Sequence, residues 1–384
     1  MNILIAPDSF KNCLKAKEVA EHISVGINRV FAEANVKCIP LADGGEGTVE
    51  SLIFATNGKI ITCSVLDPLS RPIKAQYGIF GQEPTAIIEM AAASGIELLK
   101  ETEKNPLYTN TIGTGQLILD AINKGCTKII IGIGGSATND GGMGMAYALG
   151  YNFYDKSNKL LKPNGQNLHE IHSIGLPKQN LIEENNIEIV VASDVENPLL
   201  GKFGASNIFA PQKGASSKEI KILEKGLTNF RDIVSKTFSE DFSLNAGAGA
   251  AGGLGFGLMH FTKAQIKPGF EIISTLIDLE KEINWADIII TAEGKTDSQT
   301  AFGKLPFSIG QMAYKKNKRT IVICGWKEYY SEELPEYIQA VIPIINKPSN
   351  IDFAIANAQE NLIETAESIG RLIQLGMILE RNKA

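Results

Sequence analysis

Six acids share one setting in this chain of 384 residues: Asp8, Asp43, Asp140, Asp194, Glu293 and Asp297 each follow closely on a short apolar run. In α/β folds, ligands bind beyond the carboxyl ends of the strands, so acids delivered there from remote segments are expected to line one cleft. Taken singly, an Asp after a strand is most often a turn or helix-cap residue; the number of them, with glycines alongside, favours a site. Lys11, Lys295 and Lys304 lie in the same loops. Carboxylates beside glycine-rich backbone and lysine suit Mg²⁺ with a polyphosphate. Magnesium takes one or two carboxylates plus phosphate oxygens and water, and N–H groups and ammonium ions neutralise the phosphates. Phosphoryl transfer then requires in-line positioning and an acid near the attacking hydroxyl.

The densest stretch is Ile129–Met145, IIIGIGGSATNDGGMGM. Its isoleucines suit a buried parallel strand, which stops in glycines interleaved with Ser136, Thr138, Asn139 and Asp140. An ordinary strand-to-helix turn needs one or two glycines; six between 132 and 144, Gly134 and Gly135 among them, point to a ligand loop that attracts phosphate. A second glycine-rich stretch, Asn245–Gly257, holds Gly252 and Gly253. Gly132–Ala137 fits G-x-G-x-x-A, with Asp155 about 20 residues on, as in a dinucleotide fingerprint. The match is weak, because polar and glycine residues continue to Gly144, where a dinucleotide unit would already be helical. Walker A and protein-kinase signatures are absent, and Ser136 does not sit in G-x-S-x-G. The residues alone read as a metal-dependent, phosphate-handling α/β enzyme. A dehydrogenase of a small hydroxy acid and a non-catalytic nucleotide-binding protein stay open as alternatives.

The elements that must position these groups alternate. Asn2–Ala6 reads as a strand, 16–31 as an amphipathic helix, Val36–Ala42 as a strand, and a helix then runs to Asn57-Gly58. From residue 59 the texture changes: Lys59–Asp67, Pro72–Gly81 and Thr85–Met90 are strand-like and joined by short turns, the pattern of antiparallel hairpins. Alternation resumes with Thr114–Lys124, Thr127–Ile133, Gly142–Leu149, Ile187–Ala192 and the helix Ser217–Thr237. The β/α texture of the N-terminus returns after Ala286, with strands Asp287–Thr291, Thr320–Cys324 and Ala340–Ile345. The terminal helix 352–375 is opened by a capping box at Ser349–Asp352. The expected architecture is α/β in two domains: a flavodoxin- or Rossmann-like parallel-sheet domain, 1–58 plus 285–384, and a mixed α/β domain, 59–284, inserted into it.

Composition narrows the partners. A net charge of −6, with only six arginines among 37 basic residues, argues against a nucleic-acid or anionic-membrane surface. The five cysteines are scattered, with no C-x-x-C, and read as thiols of a reducing compartment. Met1–Ala6 runs directly into Pro7 and Asp8, so no leader is expected and the protein is placed in the cytoplasm.

Many multi-residue motifs resemble the class I glycerate kinases, in order along nearly the whole chain: APDSFKNCLKAKEVA (6–20), PLADGGEGTVE (40–50), IEMAAASGIELL (88–99), NTIGTGQLILDA (110–121), IGIGGSATNDGGMGM (131–145), ASDVENPLLG (192–201), APQKGA (210–215), GAGAAGGLGFGL (247–258) and TAEGKTDSQTAFGKLP (291–306). The resemblance implies ATP- and Mg²⁺-dependent phosphorylation of D-glycerate, giving 2-phosphoglycerate rather than the 3-phosphate, in a site between a flavodoxin-like and an inserted α/β domain. It implies that Lys11 and Lys304 bind the glycerate carboxylate or ATP phosphate. Asp43, Asp194, Glu293 and Asp297 become the metal and general-base set, with Asp194 preferred over Asp43 as base and Glu293 with Asp297 on the metal. The Gly134–Gly142 loop cradles substrate or phosphate and Gly247–Gly257 another part of the ligand. The chain departs from the family in two places. Lys295 stands where the family more often has Arg, so a bidentate grip is not expected there, and Cys324-Gly-Trp326 replaces a small-residue loop.

Overall fold

The computed structural model describes residues 1–42, 44–296, 305–328 and 334–382. Its strands in chain order are β1 Asn2–Ile5, β2 Asn35–Cys38, β3 Lys59–Leu66, β4 Pro72–Phe80, β5 Thr85–Glu89, β6 Lys128–Gly132, β7 Asn152–Tyr154, β8 Ser173–Gly175, β9 Glu188–Ala192, β10 Gln265–Lys267, β11 Ile288–Thr296, β12 Arg319–Lys327 and β13 Ile338–Pro343. The chain is mixed α/β and divides into two units, Met1–Asp43 with Ile273–Ala384, and Gly44–Ile272. The helix Thr48–Thr56 packs on β4 and β5, which is why the second unit begins at Gly44 and not at residue 59.

The first unit is a five-stranded sheet in the order β13-β12-β11-β1-β2 with parallel pairings throughout. Counted within the unit, this is 2-1-3-4-5, the flavodoxin-like doubly wound order, with the second unit spliced between its second and third strands. Ile3, Leu4 and Ile5 are all fully buried, because helices cover both faces and a parallel strand then reads as a continuous apolar run. On one face lie the helices Ala16–Asn28 and Ala358–Arg381, which bury Val19, Ile23, Ile27, Leu362, Ala366 and Ile369 against Ile5, Ile290 and Ile323. Each such side chain contributes about 1.5–3 kcal/mol on leaving water. The opposite face holds Phe307 against Val322 and Val341.

Two expectations change here. The strand after Ala286 does not stop at Thr291 but continues to Thr296, paired with β12 through Glu293↔Cys324 and Lys295↔Trp326. Glu293 and Lys295 therefore stand on a strand, not in a loop beyond it, and Cys324–Trp326 belongs to β12. The terminal helix is two helices, Ile351–Ala356 and Ala358–Arg381, and the first is capped by Asn350, whose Oδ1 accepts from Phe353 N (2.9 Å), instead of by Ser349.

The second unit centres on a six-stranded sheet, β10-β9-β6-β5-β4-β3. Its β10, β9, β6 and β5 are mutually parallel, whereas β4 and β3 continue as the antiparallel hairpins expected from the short turns after residue 59. Arg71 staples the first hairpin, donating Nε to Asp67 (2.5 Å) and Nη1 to Glu103 (2.7 Å). The core runs from Ile129, Ile131 and Val191 to Phe153, Phe230, Phe256 and Phe261.

Candidate active site

In the first unit the strand order reverses between β1 and β11, and doubly wound sheets bind ligands at the carboxyl edge of that switch point. Chain continuing from β1 keeps to β11: Ala6 N donates to Ile290 O and Asp8 N to Ala292 O, both 2.8 Å. Asp8 thus arrives beside Glu293, one residue beyond its backbone partner. Asp8 Oδ1 also accepts from Ser9 N (2.6 Å), which turns the chain toward the Phe10–Leu14 bridge that carries exposed Lys11. A methyl group at Gly294 would lie 3.4 Å from Lys11 N, so the lysine turn rests directly on β11. Glu293 is buried and accepts from Thr296 Oγ1 (2.9 Å). Burial pushes the neighbouring Cys324 thiol up to about 11, and the charge of Glu293 adds to that rise. Lys295 Nζ lies 3.1 Å from Glu328 and 4.7 Å from the centre of the Trp326 ring. This unit therefore assembles Asp8, Lys11, Glu293 and Lys295 at one sheet edge. Asp43, Asp297 and Lys304 lie outside the described residues.

In the second unit the glycine loop leaves β6 and reaches the short helix Met143–Ala148. Only its tip meets solvent: Gly134 and Gly135 are exposed and Ser136 half-buried, while Thr138, Asn139 and Asp140 are fully buried. Asp140 is an internal brace. Its Oδ2 accepts from Thr111 N and Oγ1 (2.8 Å each) and from Gly144 N (3.1 Å), and its Oδ1 accepts from Gly142 N (3.1 Å). Burial pushes this carboxyl above the usual range, against those hydrogen bonds. The helix N-terminus that phosphate was expected to reach is thus already capped by a side-chain carboxylate. The second glycine stretch packs on the first. Gly141 N donates to Gly252 O (3.1 Å), and a Cβ on Gly252, whose φ is +68°, would stand 2.0 Å from Thr138 O. Gly252 and Gly253 are buried within that packing.

Sequence reasoning passed over two residues here. Lys213, in the APQKGA segment, is 1% exposed and donates Nζ to Ser136 Oγ and to Thr138 O, 2.6 Å each. Burial pushes its ammonium down to about 7, partly offset by the charge of Asp140. Its only sequence signal is a lone lysine among Ala, Pro, Gln and Gly, away from any strand end. Glu89, which ends β5, follows the same acid-after-strand pattern and could have been found by it. Its Oε1 accepts from Val49 N (2.8 Å), anchoring the helix after the Gly44–Gly47 loop, and burial raises its pKa against hydrogen bonds from Val49, Gly47 and Thr48. That loop lies over the strand ends, and a methyl group on Gly132 would sit 2.2 Å from Gly44 O. Asp194 stands exposed beyond β9, its Oδ1 accepting from Gly269 N (3.0 Å). Asp155 Oδ1 accepts from Ser157 N and Lys159 N (2.8 and 2.9 Å), the contacts of an acid that closes its own turn.

No three His, Cys, Asp or Glu gather as a metal cluster among the described residues. A pair of carboxylates on neighbouring segments, Asp8 just beyond β1 and Glu293 within β11, nevertheless fits the donor set of Mg²⁺, which takes one or two carboxylates and completes its shell with phosphate and water.

A flavodoxin-ordered sheet with a charged switch point, interrupted by a unit whose glycine loop is braced from within, defines a doubly wound α/β enzyme. The glycerate kinase family model matches residues 3–374. A glycerate kinase of Haemophilus influenzae is 42% identical over 374 residues, spanning 97% of this chain and 99% of the relative. A glycerate 2-kinase of Escherichia coli is 41% identical over 378 residues, 98% and 99% of the two chains. The crystal structure of a protein provisionally called glycerate kinase 2, from Salmonella typhimurium LT2, superimposes with a TM-score of 0.88 at 40% identity, covering 98% of this chain and 99% of its own. The chain belongs to the glycerate kinase family and is a phosphotransferase.

Proposed function

We propose that this protein transfers the γ-phosphoryl group of ATP to D-glycerate, with Mg²⁺, and that the product is 2-phosphoglycerate. The observation that carries the reading is the convergence of Asp8, Lys11 and Glu293 at the switch point of a sheet whose chain matches the family from end to end. The 2-position follows the name of the Escherichia coli relative.

Asp194 is the proposed base, with Asp43 its rival. The glycerate hydroxyl oxygen attacks the γ-phosphorus, its proton passes to the carboxylate, and the bond to the β-phosphate oxygen breaks to release ADP. The hydrogen bond from Gly269 N to Asp194 Oδ1 supports this reading, because it restrains the carboxylate. Lys11 and Lys304 would hold the glycerate carboxylate or a phosphate, with Lys295 a third, weaker candidate because Glu328 partly neutralises it. The Gly134–Ser136 tip, the exposed part of its loop, would contact substrate or phosphate. Glu293 and Asp8, with Asp297, would hold the metal, which when bound neutralises charge on the β- and γ-phosphate oxygens. Among the described residues no helix is long and apolar enough to cross a membrane. The five cysteines are free thiols, which supports a cytoplasmic, reducing setting.

Coupled detection of ADP tests this directly: release must require D-glycerate and Mg²⁺ together, and phosphorus NMR must place the new ester at the 2-position. ATP consumption independent of glycerate would overturn the reading.

A further inference from the structure

Lys213 is left without a role by the chemistry above, yet few groups in the protein are as costly to place. A lysine that is 1% exposed sits among small residues, with its ammonium 2.6 Å from Ser136 Oγ and 2.6 Å from Thr138 O. The bonding inventory at these atoms is restrictive. The Thr138 carbonyl only accepts, so Nζ must donate to it. An ammonium has three donors and no lone pair, so while Lys213 is charged it must also donate to Ser136, and the Ser136 hydroxyl hydrogen has to point elsewhere. A neutral amine carries a lone pair, and Ser136 can then turn its hydrogen inward to Nζ and present only lone pairs outward. Ser136 is the half-buried residue at the tip, next to exposed Gly134 and Gly135, so outward from Lys213 is toward solvent and ligand.

We propose that Lys213 is a positioning residue: charged, it fixes Ser136 as a hydrogen-bond donor to an anionic oxygen of the substrate, and on losing its proton it lets that polarity reverse. The proposal rests on the glycerate kinase reading only for the identity of the anion, a hydroxy-acid carboxylate or a phosphoryl oxygen. Burial pushes the Lys213 ammonium down to about 7, which puts the switch between pH 6 and 8.5. The charges around it are few. Asp140, on the same loop, favours the ammonium. Lys104, whose carbonyl abuts Gly214, has its own ammonium paired with Glu101 (2.7 Å).

Calorimetric titration of the whole protein between pH 6 and 8.5 with D-glycerate, with a non-hydrolysable ATP analogue and with inorganic phosphate tests the idea. Whichever ligand Ser136 holds should bind about tenfold or more weakly at the upper pH, with proton uptake on binding there. Ser136→Ala, which alters only a half-buried hydroxyl, should weaken the same ligand about tenfold at pH 6 and flatten the dependence; Lys213→Met should do likewise, and the double variant should be no worse than either single one. Loss confined to glycerate identifies the carboxylate, and loss confined to the analogue identifies the phosphoryl group. A Ser136→Ala protein that keeps the full pH dependence, or additive single effects, would overturn the proposal. Because inorganic phosphate is one of the titrants, a protein that failed to phosphorylate glycerate would still report on Lys213 and Ser136.

Discussion

The two units solve the problem of placing charge in opposite ways. At the edge of the first, Asp8, Glu293 and Lys295 are carried on or directly beyond strands, and the parallel ladder from β1 through β11 to β12 sets their spacing. In the second, strands deliver only the ends of a loop, whose shape comes from a buried polar network of Asp140, Thr111, Lys213, Asn139 and Ser206. A ladder is redundant, because each pairing is supported by its neighbours. A network is not: a removed member leaves buried partners unsatisfied, at about 1–3 kcal/mol per neutral group and more for a charged one. Two buried atoms, Thr138 Oγ1 and Asn139 Oδ1, already have no partner among the described residues.

The contrast breaks down first, if it is wrong, at the charged centres. Asp194→Asn keeps an acceptor for Gly269 N but cannot take a proton, so kcat should fall by about 10²–10⁴ with the melting temperature nearly unchanged. A loss below tenfold would move the base to another carboxylate. Asp140→Ala should act through the fold instead. It strands Thr111, Gly142 and Gly144 donors, and chemical denaturation should show roughly 3–5 kcal/mol of lost stability. Wild-type stability at Asp140→Ala would mean that the loop is not held from within.

Glycines sharpen the same comparison at smaller scale. Gly252→Ala meets Thr138 O at 2.0 Å in a left-handed backbone and should cost at least about 3 kcal/mol. Gly294→Ala meets Phe10 Cα at 3.3 Å and should cost under about 1 kcal/mol, because the ladder absorbs the shift. Thermal melts of the pair should rank in that order. The last test is one of pH. Lys213 titrates near 7 in the folded chain and near 10.5 unfolded, so between those values the unfolded chain holds more protons, and stability must rise with pH. Denaturation of wild type and Lys213→Met from pH 7 to 10 should show that rise only in the wild type.

The ladder-borne region was the more legible from sequence, for a physical reason. Apolar runs and turn residues are local signals, and Asp8, Lys11 and Glu293 sit where those signals end. Even so, β11 ran six residues past its last isoleucine, since pairing with β12 carried Glu293 and Lys295 into the sheet against their own propensities. The network-borne region was legible only as an excess of glycine. Nothing in the spacing of Asp140 told that its partners would be Thr111 and two N–H groups of its own loop. Gly252 and Thr138 lie more than a hundred residues apart, and their contact is a property of packing. Lys213 carried the weakest signal, because a buried cation is indistinguishable in sequence from a solvated one.

The central strand of the first sheet has a further consequence for how the protein is made. Thr291 Oγ1 donates to Ala6 O across 285 residues, and β1 needs β11 on one side of it. A ribosome that has just released β1 and β2 has about two-thirds of the chain still to translate before that partner exists. The unit Gly44–Ile272, by contrast, is contiguous and can complete its own sheet as soon as β10 emerges. Pulse proteolysis of stalled nascent chains should find this unit protected while residues 1–42 are still cut. The earliest strand to leave the ribosome is among the last to be secured.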